Sequence, residues 1–270
     1  MPLIRNSSSP IRLLSVRVLR STKCLRLRKL RIRRQLERPE KPGVMAVPCR
    51  DDRFVLSADY SLEGLRTAVD TASQNLPRRS IDEIDSARAR EYALLAMLLS
   101  HSPDAQLLSG LASLHVDTSP IGLAHAALAE AARQATEGSV AREYVALFGG
   151  LGGSALLPYA SHYLADTLYG RPLARVRETL QPLGVEKAPE RIEPEDHAGF
   201  LCEVMAGLIG GDISAPDGTD RTFFNAHLAS WVGRFFVDLE GAKSVDFYRS
   251  VGILGRTFID IETHAFTLSG

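Results

Sequence analysis

The stretch FNAHLASWVGRFFVDLEGAKSVDFYRSVGILGRTFIDI, residues 224–261, carries the clearest structural signal in the sequence. Its large apolar residues recur every three or four positions, which is the spacing of one face of an α-helix. The first run is Phe224, Leu228, Trp231, Phe235 and Leu239, and the second is Phe247, Val251, Leu254, Phe258 and Ile261. We therefore predict two helices, Thr219–Leu239 and Ser244–Thr267, each burying one stripe.

The same period dominates the chain from Tyr60 onward, and no convincing alternating strand pattern interrupts it. The other predicted helices are Ser61–Asn75, Ile84–Ser100, Pro103–Leu114, Pro120–Thr136, Ser139–Phe148, Pro158–Tyr169, Leu173–Leu180 and Pro194–Ile209. The sequence thus predicts an all-α fold, a single domain of about ten helices. The segment Gly184–Glu193 has no helical pattern, and we predict a hinge there between two helical blocks.

Composition narrows the class of protein. The chain has 270 residues, of which 45% are hydrophobic and 24% charged, as in ordinary globular proteins. No apolar run approaches the roughly 20 residues that cross a bilayer, so stable membrane insertion is not expected. The cysteines Cys24, Cys49 and Cys202 are far apart and form no C-x-x-C pair, which argues against zinc, an iron–sulfur cluster or a redox couple and fits a reducing compartment.

Charge is distributed unevenly along the chain. Residues 1–44 carry 13 basic and two acidic residues, so the rest carries 19 basic and 30 acidic ones. The basic leader therefore has a net charge of +11 and the remainder −11. We place the domain boundary near residue 50, with the leader at 1–50 and the helical domain at 51–270.

The leader allows several interpretations. An organelle transit peptide and a nucleic-acid-binding arm both fit a segment rich in Arg and poor in acids. A twin-arginine export signal at Arg33-Arg34 is rejected, because QLERPEKPG follows instead of an apolar run. We favour a start at Met45, which would leave the leader outside the natural product, and otherwise expect a disordered tail.

The stretch EYVALFGGLGGSALLPYASHY, residues 143–163, contains two glycine pairs. Gly150, Gly152 and Ala155 match the G-x-G-x-x-A form of the dinucleotide fingerprint, but the strands that such a site needs are not predicted. A P-loop is excluded because no Lys-Ser/Thr pair follows the glycines. We predict instead that a helix ends at Phe148 and that the glycines reverse the chain, which restarts near Pro158.

The stretch RIEPEDHAGFLCEVMAGL, residues 191–208, places three carboxylates and an imidazole where we expect a helix to begin. A plain interpretation is a well-capped helix with His197, Leu201, Val204 and Leu208 facing inward. A metal site using Asp196, His197 and Cys202 or His227 is disfavoured, since adjacent helical residues point about 100° apart. Acid–base catalysis by His197 stays open, although no nucleophile or substrate pocket is visible.

Together these landmarks resemble the TorD/DmsD/NarJ family of redox-enzyme maturation chaperones, and the TorD and DmsD branch most. The resemblance covers Ser61–Phe266 and rests on motifs that occur in this order: EYVALFGG (143–150), LLPYASHY (156–163), EPEDH (193–197), FNAHLASWVGRFFVDL (224–239) and VDFYRSVGIL (245–254). It implies an all-helical, cytoplasmic, non-enzymatic chaperone that binds the twin-arginine signal peptide of a molybdenum-cofactor enzyme precursor and delays export until the cofactor is inserted.

The resemblance also implies the clients and the ligands. The clients would be reductases of trimethylamine oxide or dimethyl sulfoxide, or formate dehydrogenases, with contacts to both the signal peptide and the body of the precursor. Neither a cofactor nor a metal is implied, and weak GTP binding is a side activity to consider. The protein would be a monomer or a homodimer and would not bind nucleic acid.

The resemblance assigns a signal-peptide site to two blocks of residues, and family members often have Trp where this chain has Tyr. The assigned residues are Tyr159, Ser161, Tyr163, Glu193, Pro194, Asp196 and His197. A receptor for two guanidinium groups and an apolar run should offer carboxylates beside an apolar groove. Asp196, Glu195 and Glu193 could provide the carboxylates. The rival hypotheses are a nucleotide-binding enzyme or switch using Gly149–Gly153, and a nucleic-acid protein that binds through its leader.

Overall fold

The computed structural model describes residues 30–32, 82–114, 116–149, 155–189, 191–243 and 245–268. These residues form ten α-helices and one two-stranded antiparallel sheet, all within one unit. The helices are α1 (Glu83–Ser100), α2 (Ala105–Ala112), α3 (Pro120–Gln134), α4 (Glu137–Phe148), α5 (Ala160–Ala165), α6 (Arg171–Leu180), α7 (Ala198–Ile209), α8 (Thr219–His227), α9 (Val232–Glu240) and α10 (Phe247–Leu268). The strands are β1 (Leu30–Ile32) and β2 (Val185–Lys187). The predicted all-α class is confirmed.

Helix α7 lies at the centre of the fold. All 12 of its residues are buried, so it presents no face to solvent. It packs mainly along α1, while α10 packs against α9 and α3. The core between these helices contains large, fully buried side chains, among them Tyr92, Trp231, Phe235 and Tyr248. Burying side chains of this size contributes about 1.5–3 kcal/mol each, which is how the central helices hold the fold together.

The predicted helix Thr219–Leu239 is wrong as a single helix. The structure has two, α8 and α9, separated at residues 228–231. The cause is Trp231, whose indole Nε1 donates to the carbonyl of His227 at 2.7 Å, while its backbone N–H turns to the carbonyl of Leu228 at 3.1 Å. In a continuous helix the His227 carbonyl would accept the backbone N–H of residue 231, so the side chain replaces that bond and ends the helix.

Other boundaries also differ from the predictions. Pro158–Tyr169 is helical only as α5, which ends at Asp166 in the left-handed conformation, with φ at 50°. Pro194–Ile209 begins as a helix only at Ala198, because the preceding residues turn and His197 is the N-cap. The remaining described helices agree with the predictions to within three residues at each end.

Two short strands depart from the purely helical prediction. β1 lies in the basic leader and β2 in the segment predicted as a hinge, and each is only three residues long. A run of three residues is too short to show an alternating pattern in sequence. The hinge itself stays a prediction. The rest of the leader and the predicted helix Ser61–Asn75 lie outside the described residues.

Helices α9 and α10 approach closely through glycine. A Cβ atom on Gly252 would lie 2.4 Å from the backbone nitrogen of Glu240, and one on Gly255 would lie 2.1 Å from Cε1 of Phe236. Since a backbone atom cannot swing aside as a side chain can, Gly252 sets how near the two helices come.

A buried His–Glu pair joins α1 and α3 and makes stability depend on pH. Nε2 of His125 lies 3.0 and 3.1 Å from the two carboxylate oxygens of Glu91. Burial would lower the pKa of His125, but the hydrogen bond and charge of Glu91, with the charge of Asp117, outweigh it and raise that pKa. Folding is thus stabilised by the protonated imidazole.

We expect the free energy of unfolding to fall as pH rises from about 6.5 through the raised pKa of folded His125, because only the folded state then holds the proton. The stabilisation is fully present below about pH 6.5, the pKa of an unfolded histidine. Urea titrations at a series of pH values measure this slope. In His125→Gln the slope in this window should flatten, and a slope equal to that of the wild type would contradict the assignment. Burial and the charge of Arg175 lower the pKa of His227. Its titration therefore changes the free energy of unfolding only below about pH 6.5.

Candidate functional site

The two blocks assigned by resemblance meet at the start of α5 and the start of α7. Tyr159 and His197 form an isolated antiparallel bridge, in which Ala160 N donates to Asp196 O at 3.0 Å and Ala198 N donates to Pro158 O at 2.8 Å. We call residues 158–161 together with residues 193–198 the clasp. It connects positions more than thirty residues apart in sequence and fixes the entry points of both helices.

Asp196 is the buried centre of the clasp. Its side chain has no exposed surface, and Oδ2 accepts the backbone N–H of Ser161 at 2.9 Å. Tyr159, the N-cap of α5, provides no side-chain cap, so Asp196 supplies the acceptor that the first turn of α5 lacks. Oδ1 of Asp196 is buried without a hydrogen-bond partner. The carboxylate therefore positions α5, and it is not presented at the surface in this conformation.

His197 performs the matching task for α7. Its Nδ1 accepts the backbone N–H of Gly199 at 3.0 Å, which makes the imidazole the N-cap of α7. A Cβ on Gly199 would lie 3.2 Å from that nitrogen, so the small residue leaves room for the cap. The His197 ring is also in edge contact with the ring of Tyr159, with centroids 5.3 Å apart. Adjacent residues of the E-P-x-D-H element thus cap two different helices.

Two tyrosines of this region each hold a carboxylate at the surface. The hydroxyl of Tyr159 donates to Oε2 of Glu193, and the hydroxyl of Tyr163 donates to Oδ2 of Asp238 at 2.7 Å. Partial burial and these carboxylates raise the pKa of both phenols, which keeps them protonated as donors at neutral pH. Glu193 is half-buried and Asp238 is exposed. The two tyrosines are four positions apart in sequence: Tyr159 is the N-cap of α5, and Tyr163 lies within the helix.

A guanidinium group already sits beside this surface. Arg234 lies over the ring of Tyr163, with its Cζ 5.7 Å from the ring centroid, and donates to the Tyr163 carbonyl at 3.0 Å. The distance is within the range of a cation–π interaction. Tyr163 also packs against Trp231, with ring centroids 5.4 Å apart. The outer face of this aromatic group is therefore compatible with arginine.

Ion pairs anchor the loop that carries Glu193. The buried guanidinium of Arg191 donates to Oε2 of Glu203 on α7 at 2.6 Å and to Oγ of Ser100 on α1 at 3.0 Å. Glu195 accepts two hydrogen bonds from the guanidinium of Arg177 on α6, at 2.9 and 3.1 Å. The first pair is enclosed, whereas Arg177 is mostly exposed. The loop is thus held on both sides of Glu193.

Several apolar side chains of the segments next to the clasp are exposed. Ile192 is 91% exposed, although it adjoins Glu193, and Leu164, Leu168 and Tyr169 are also exposed. Tyr169 has a φ of 70°, which is rare for a bulky residue, and its N–H donates to Oγ of Ser161 at 3.1 Å. The buried hydroxyl of Ser161 therefore helps to hold a strained loop whose apolar side chains face outward.

The structure thus brings six of the seven predicted residues together in the clasp. Tyr159 and Glu193 form a pair at its surface, Ser161 and Asp196 are buried, and His197 caps α7. Pro194 accepts the N–H of His197 at 3.2 Å, and Tyr163 lies one turn along α5. Their role in binding stays a prediction. Sequence reasoning missed Asp238, Arg191 and Glu203, since partners 75 and 12 positions apart leave no local pattern.

The glycine stretch is described only at its ends. Helix α4 ends at Phe148, as predicted, and Gly149 is its C-cap in the right-handed helical region. The N–H groups of Ala155 and Leu156 donate to the carbonyls of Ala146 and Leu147 at 3.3 and 3.0 Å, so the chain has reversed against the last turn of α4. The predicted reversal is confirmed. Residues 150–154, including most of the proposed nucleotide loop, lie outside the described residues.

A cleft of about 360 Å³ is lined mainly by residues of α5, α6 and α8. Its lining includes Leu164, Val176 and His227 with the exposed Arg171 and Arg175, whose side chains form no ion pair with any described residue. Such a basic cleft disfavours a ligand that carries guanidinium groups. The carboxylates of the clasp are the better candidates for that task.

Two searches of the described residues bear on other functions. No group of three or more His, Cys, Asp or Glu side chains there could hold a metal ion. No helix among them has both the length and the apolar content of a membrane span.

Comparisons with known proteins agree with the family resemblance indicated by the motifs. A family model described as nitrate reductase delta subunit matches residues 116–237. The chain is 24% identical over 202 residues to the "Chaperone protein TorD" of Shewanella pealeana. The aligned region covers 66% of this chain and 89% of that protein. It is 26% identical over 118 residues to the "Probable Tat proofreading chaperone DmsD" of Haemophilus influenzae. Here the aligned region covers 43% of this chain and 56% of that protein.

One solved structure is also similar to this chain. It is described as a "Putative Redox Enzyme Maturation Protein" from Archaeoglobus fulgidus, with a TM-score of 0.43 and 20% identity. The similarity covers 64% of this chain and 93% of that one.

Proposed function

Because this chain is similar to members of the TorD/DmsD/NarJ family of redox-enzyme maturation chaperones, we propose that it belongs to that family and binds the twin-arginine signal peptide of a molybdenum-cofactor oxidoreductase precursor. Its relatives are named chaperones, and its role is non-enzymatic. In this proposal the bound chaperone assists cofactor insertion in the cytoplasm and delays export of the precursor, and it also contacts the precursor body.

The observation that carries the proposal is the pair of tyrosine-held carboxylates, Tyr159–Glu193 and Tyr163–Asp238. Each carboxylate is fixed by a hydroxyl donor and retains an oxygen, Oε1 or Oδ1, without a partner among the described residues. A guanidinium group binds carboxylates strongly because the hydrogen bonds are charge-assisted. Two such acceptors, held by tyrosines four positions apart in sequence, are the groups that we propose bind the two arginines of the ligand.

The apolar residues around the carboxylates supply the second half of the recognition. Ile192, which adjoins Glu193, and Leu164, Leu168 and Tyr169, which follow Tyr163 in sequence, are exposed, and a signal peptide carries an apolar run after its arginines. Apolar contact adds about 25 cal/mol for each Å² removed from water, and it does not depend on sequence detail. The carboxylates would then give specificity for the arginines, while the apolar residues would bind the apolar runs of many different signal peptides.

The buried residues of the site have a different part in the proposal. Asp196, Ser161 and His197 do not contact the peptide; they hold α5 and α7 in the positions that display Tyr159 and Glu193. Replacing them changes the fold locally, so a loss of binding in such variants does not identify a contact. The test therefore uses the surface carboxylates.

We expect Glu193→Gln to weaken binding of a synthetic twin-arginine signal peptide on the order of tenfold, since a hydrogen bond to a charged group contributes about 1.5–3 kcal/mol. Glutamine keeps the size and an acceptor for Tyr159, so the local fold is preserved. Fluorescence anisotropy with a labelled peptide measures the dissociation constant. Asp238→Asn should have a similar effect.

The matched control is Glu178→Gln on α6, which removes the same charge from an exposed position. If it weakens binding as much as Glu193→Gln does, the peptide responds only to net charge and the assigned site is wrong. A peptide with both arginines replaced by glutamine should bind wild-type protein poorly. If the wild-type protein bound neither peptide, the proposed function itself would be rejected.

A further inference from the structure

The strand β2 lies close to the first residues of the clasp. Lys187 at its end donates from Nζ to the carbonyl of Ile192 at 3.4 Å, which holds Ile192 and Glu193 close to the strand. Val185 is buried, and Glu186 and Lys187 are half-buried. The end of β2 is therefore close to the exposed Ile192, which adjoins Glu193.

A three-residue strand in a helical protein needs a partner, because its backbone N–H and C=O groups are otherwise left to solvent. Within the described part of the chain, the partner of β2 is β1. The two strands are antiparallel, and the register pairs Leu30 with Lys187, Arg31 with Glu186 and Ile32 with Val185. The helical body of the fold thus offers one strand edge, and the basic leader occupies it.

The occupying segment has the chemistry proposed for the ligand. Residues 25–34 read LRLRKLRIRR, in which arginine or lysine alternates with leucine or isoleucine and two arginines end the run. The register also sets Arg31 opposite an acid, which is a favourable cross-strand combination of residue types. The chain therefore contains, in its own leader, a segment similar in composition to the external peptide that its site is proposed to bind.

We propose that the edge of β2 is a docking site for extended, arginine-bearing peptides, and that Leu30–Ile32 occupies it as an internal competitor. Peptides that add a strand to an exposed edge gain affinity from backbone hydrogen bonds and specificity from side chains. The identity of the external peptide rests on the proposed function, whereas the strand pairing does not. In this inference the leader belongs to the natural protein, in contrast to the start at Met45 favoured from the sequence, and it regulates access to the site.

The expected size of the competition follows from tethering. A covalently attached segment competes at an effective concentration that reaches about the millimolar range, so even a weak segment fills the edge most of the time. An external peptide binds only the fraction of molecules with a free edge, and its apparent affinity falls by that fraction. Releasing the segment should therefore strengthen external binding on the order of tenfold.

The test uses the full 270-residue chain with Leu30→Pro and Arg31→Pro combined. Alternate N–H groups of an antiparallel strand point to the partner, so two consecutive prolines remove at least one of these donors. The matched control is Leu13→Pro combined with Leu14→Pro, which places the same change elsewhere in the leader. The probes are the labelled twin-arginine peptide and a labelled peptide with the sequence of residues 25–34.

We expect both probes to bind the strand variant on the order of tenfold more tightly than they bind the wild type or the control. Hydrogen exchange at β2 amides should accelerate only in the strand variant. Arg31→Glu, which keeps the N–H but sets two acids opposite each other, is the second variant and should act in the same direction.

The outcomes separate the two proposals. Equal affinity of the leader peptide for all variants, with unchanged exchange at β2, overturns the inference, even where wild-type protein binds the twin-arginine peptide. If the twin-arginine peptide binds none of the proteins while the leader peptide responds as expected, the proposed function fails and the docking edge stands.

Discussion

Glu203→Ala should lower the free energy of unfolding by about 3–5 kcal/mol, the usual cost of breaking a buried ion pair. Its partner Arg191 has only 5% of its side chain exposed and sits 4.9 Å above the ring of Phe200. Loss of the carboxylate would leave the guanidinium in an enclosed site with one remaining hydrogen bond, to Ser100. Urea denaturation followed by circular dichroism measures the change.

The matched control is Glu240→Ala, which removes the carboxylate partner of Arg256 in a pair whose side chains are about one-third exposed. Because water can solvate the freed guanidinium there, the loss should be much smaller than for Glu203→Ala. Replacing both Arg191 and Glu203 by leucine should recover most of the stability, since no charge is then buried. Equal losses in the two alanine variants would show that Arg191 gains water when its partner is removed.

Gly252→Ala should lower the free energy of unfolding by about 3 kcal/mol, at the upper end of the range for overpacked cores. The new methyl group would meet the backbone nitrogen of Glu240 at 2.4 Å, so α9 and α10 must move apart. That movement would also loosen the contacts of the surrounding aromatic side chains. Thermal and urea denaturation both report the effect.

Gly233→Ala on α9 is the control, because nothing lies within 4 Å of the new methyl group. Alanine is the better helix former, so this variant should be neutral or more stable by up to about 1 kcal/mol. A Gly252→Ala protein as stable as the wild type would mean that the two helices separate at little cost. The close approach would then not be a determinant of the fold.

The helical class was predictable because apolar periodicity survives in any segment that buries one side. Phe235 and Phe258, for example, lie on stripes visible in sequence and are buried in the core. Helix α7 is different, since it is buried on every side and has no polar face to mark its orientation. The break at Trp231 was also invisible, because it depends on one indole N–H that competes with the backbone.

The candidate site was predictable as a set of residues but not as a set of roles. The motif drew attention to Asp196 and His197, and adjacent polar residues before an apolar run do indicate a helix start. Only the fold shows that Asp196 caps a different helix from the one that follows it. The same holds for Tyr163, whose carboxylate partner Asp238 is 75 positions away.

The burial of α7 on all sides also has a consequence for how this protein is synthesised. The apolar face of α1, which includes Tyr92, Leu95 and Leu99, packs along α7. About 100 residues separate the two helices, so at 5–20 residues per second the ribosome needs on the order of 5–20 s to supply the partner. During that time the face of α1 that packs along α7 lacks its main partner. This apolar face is therefore expected to need cover from general chaperones at the ribosome until α7 has been made.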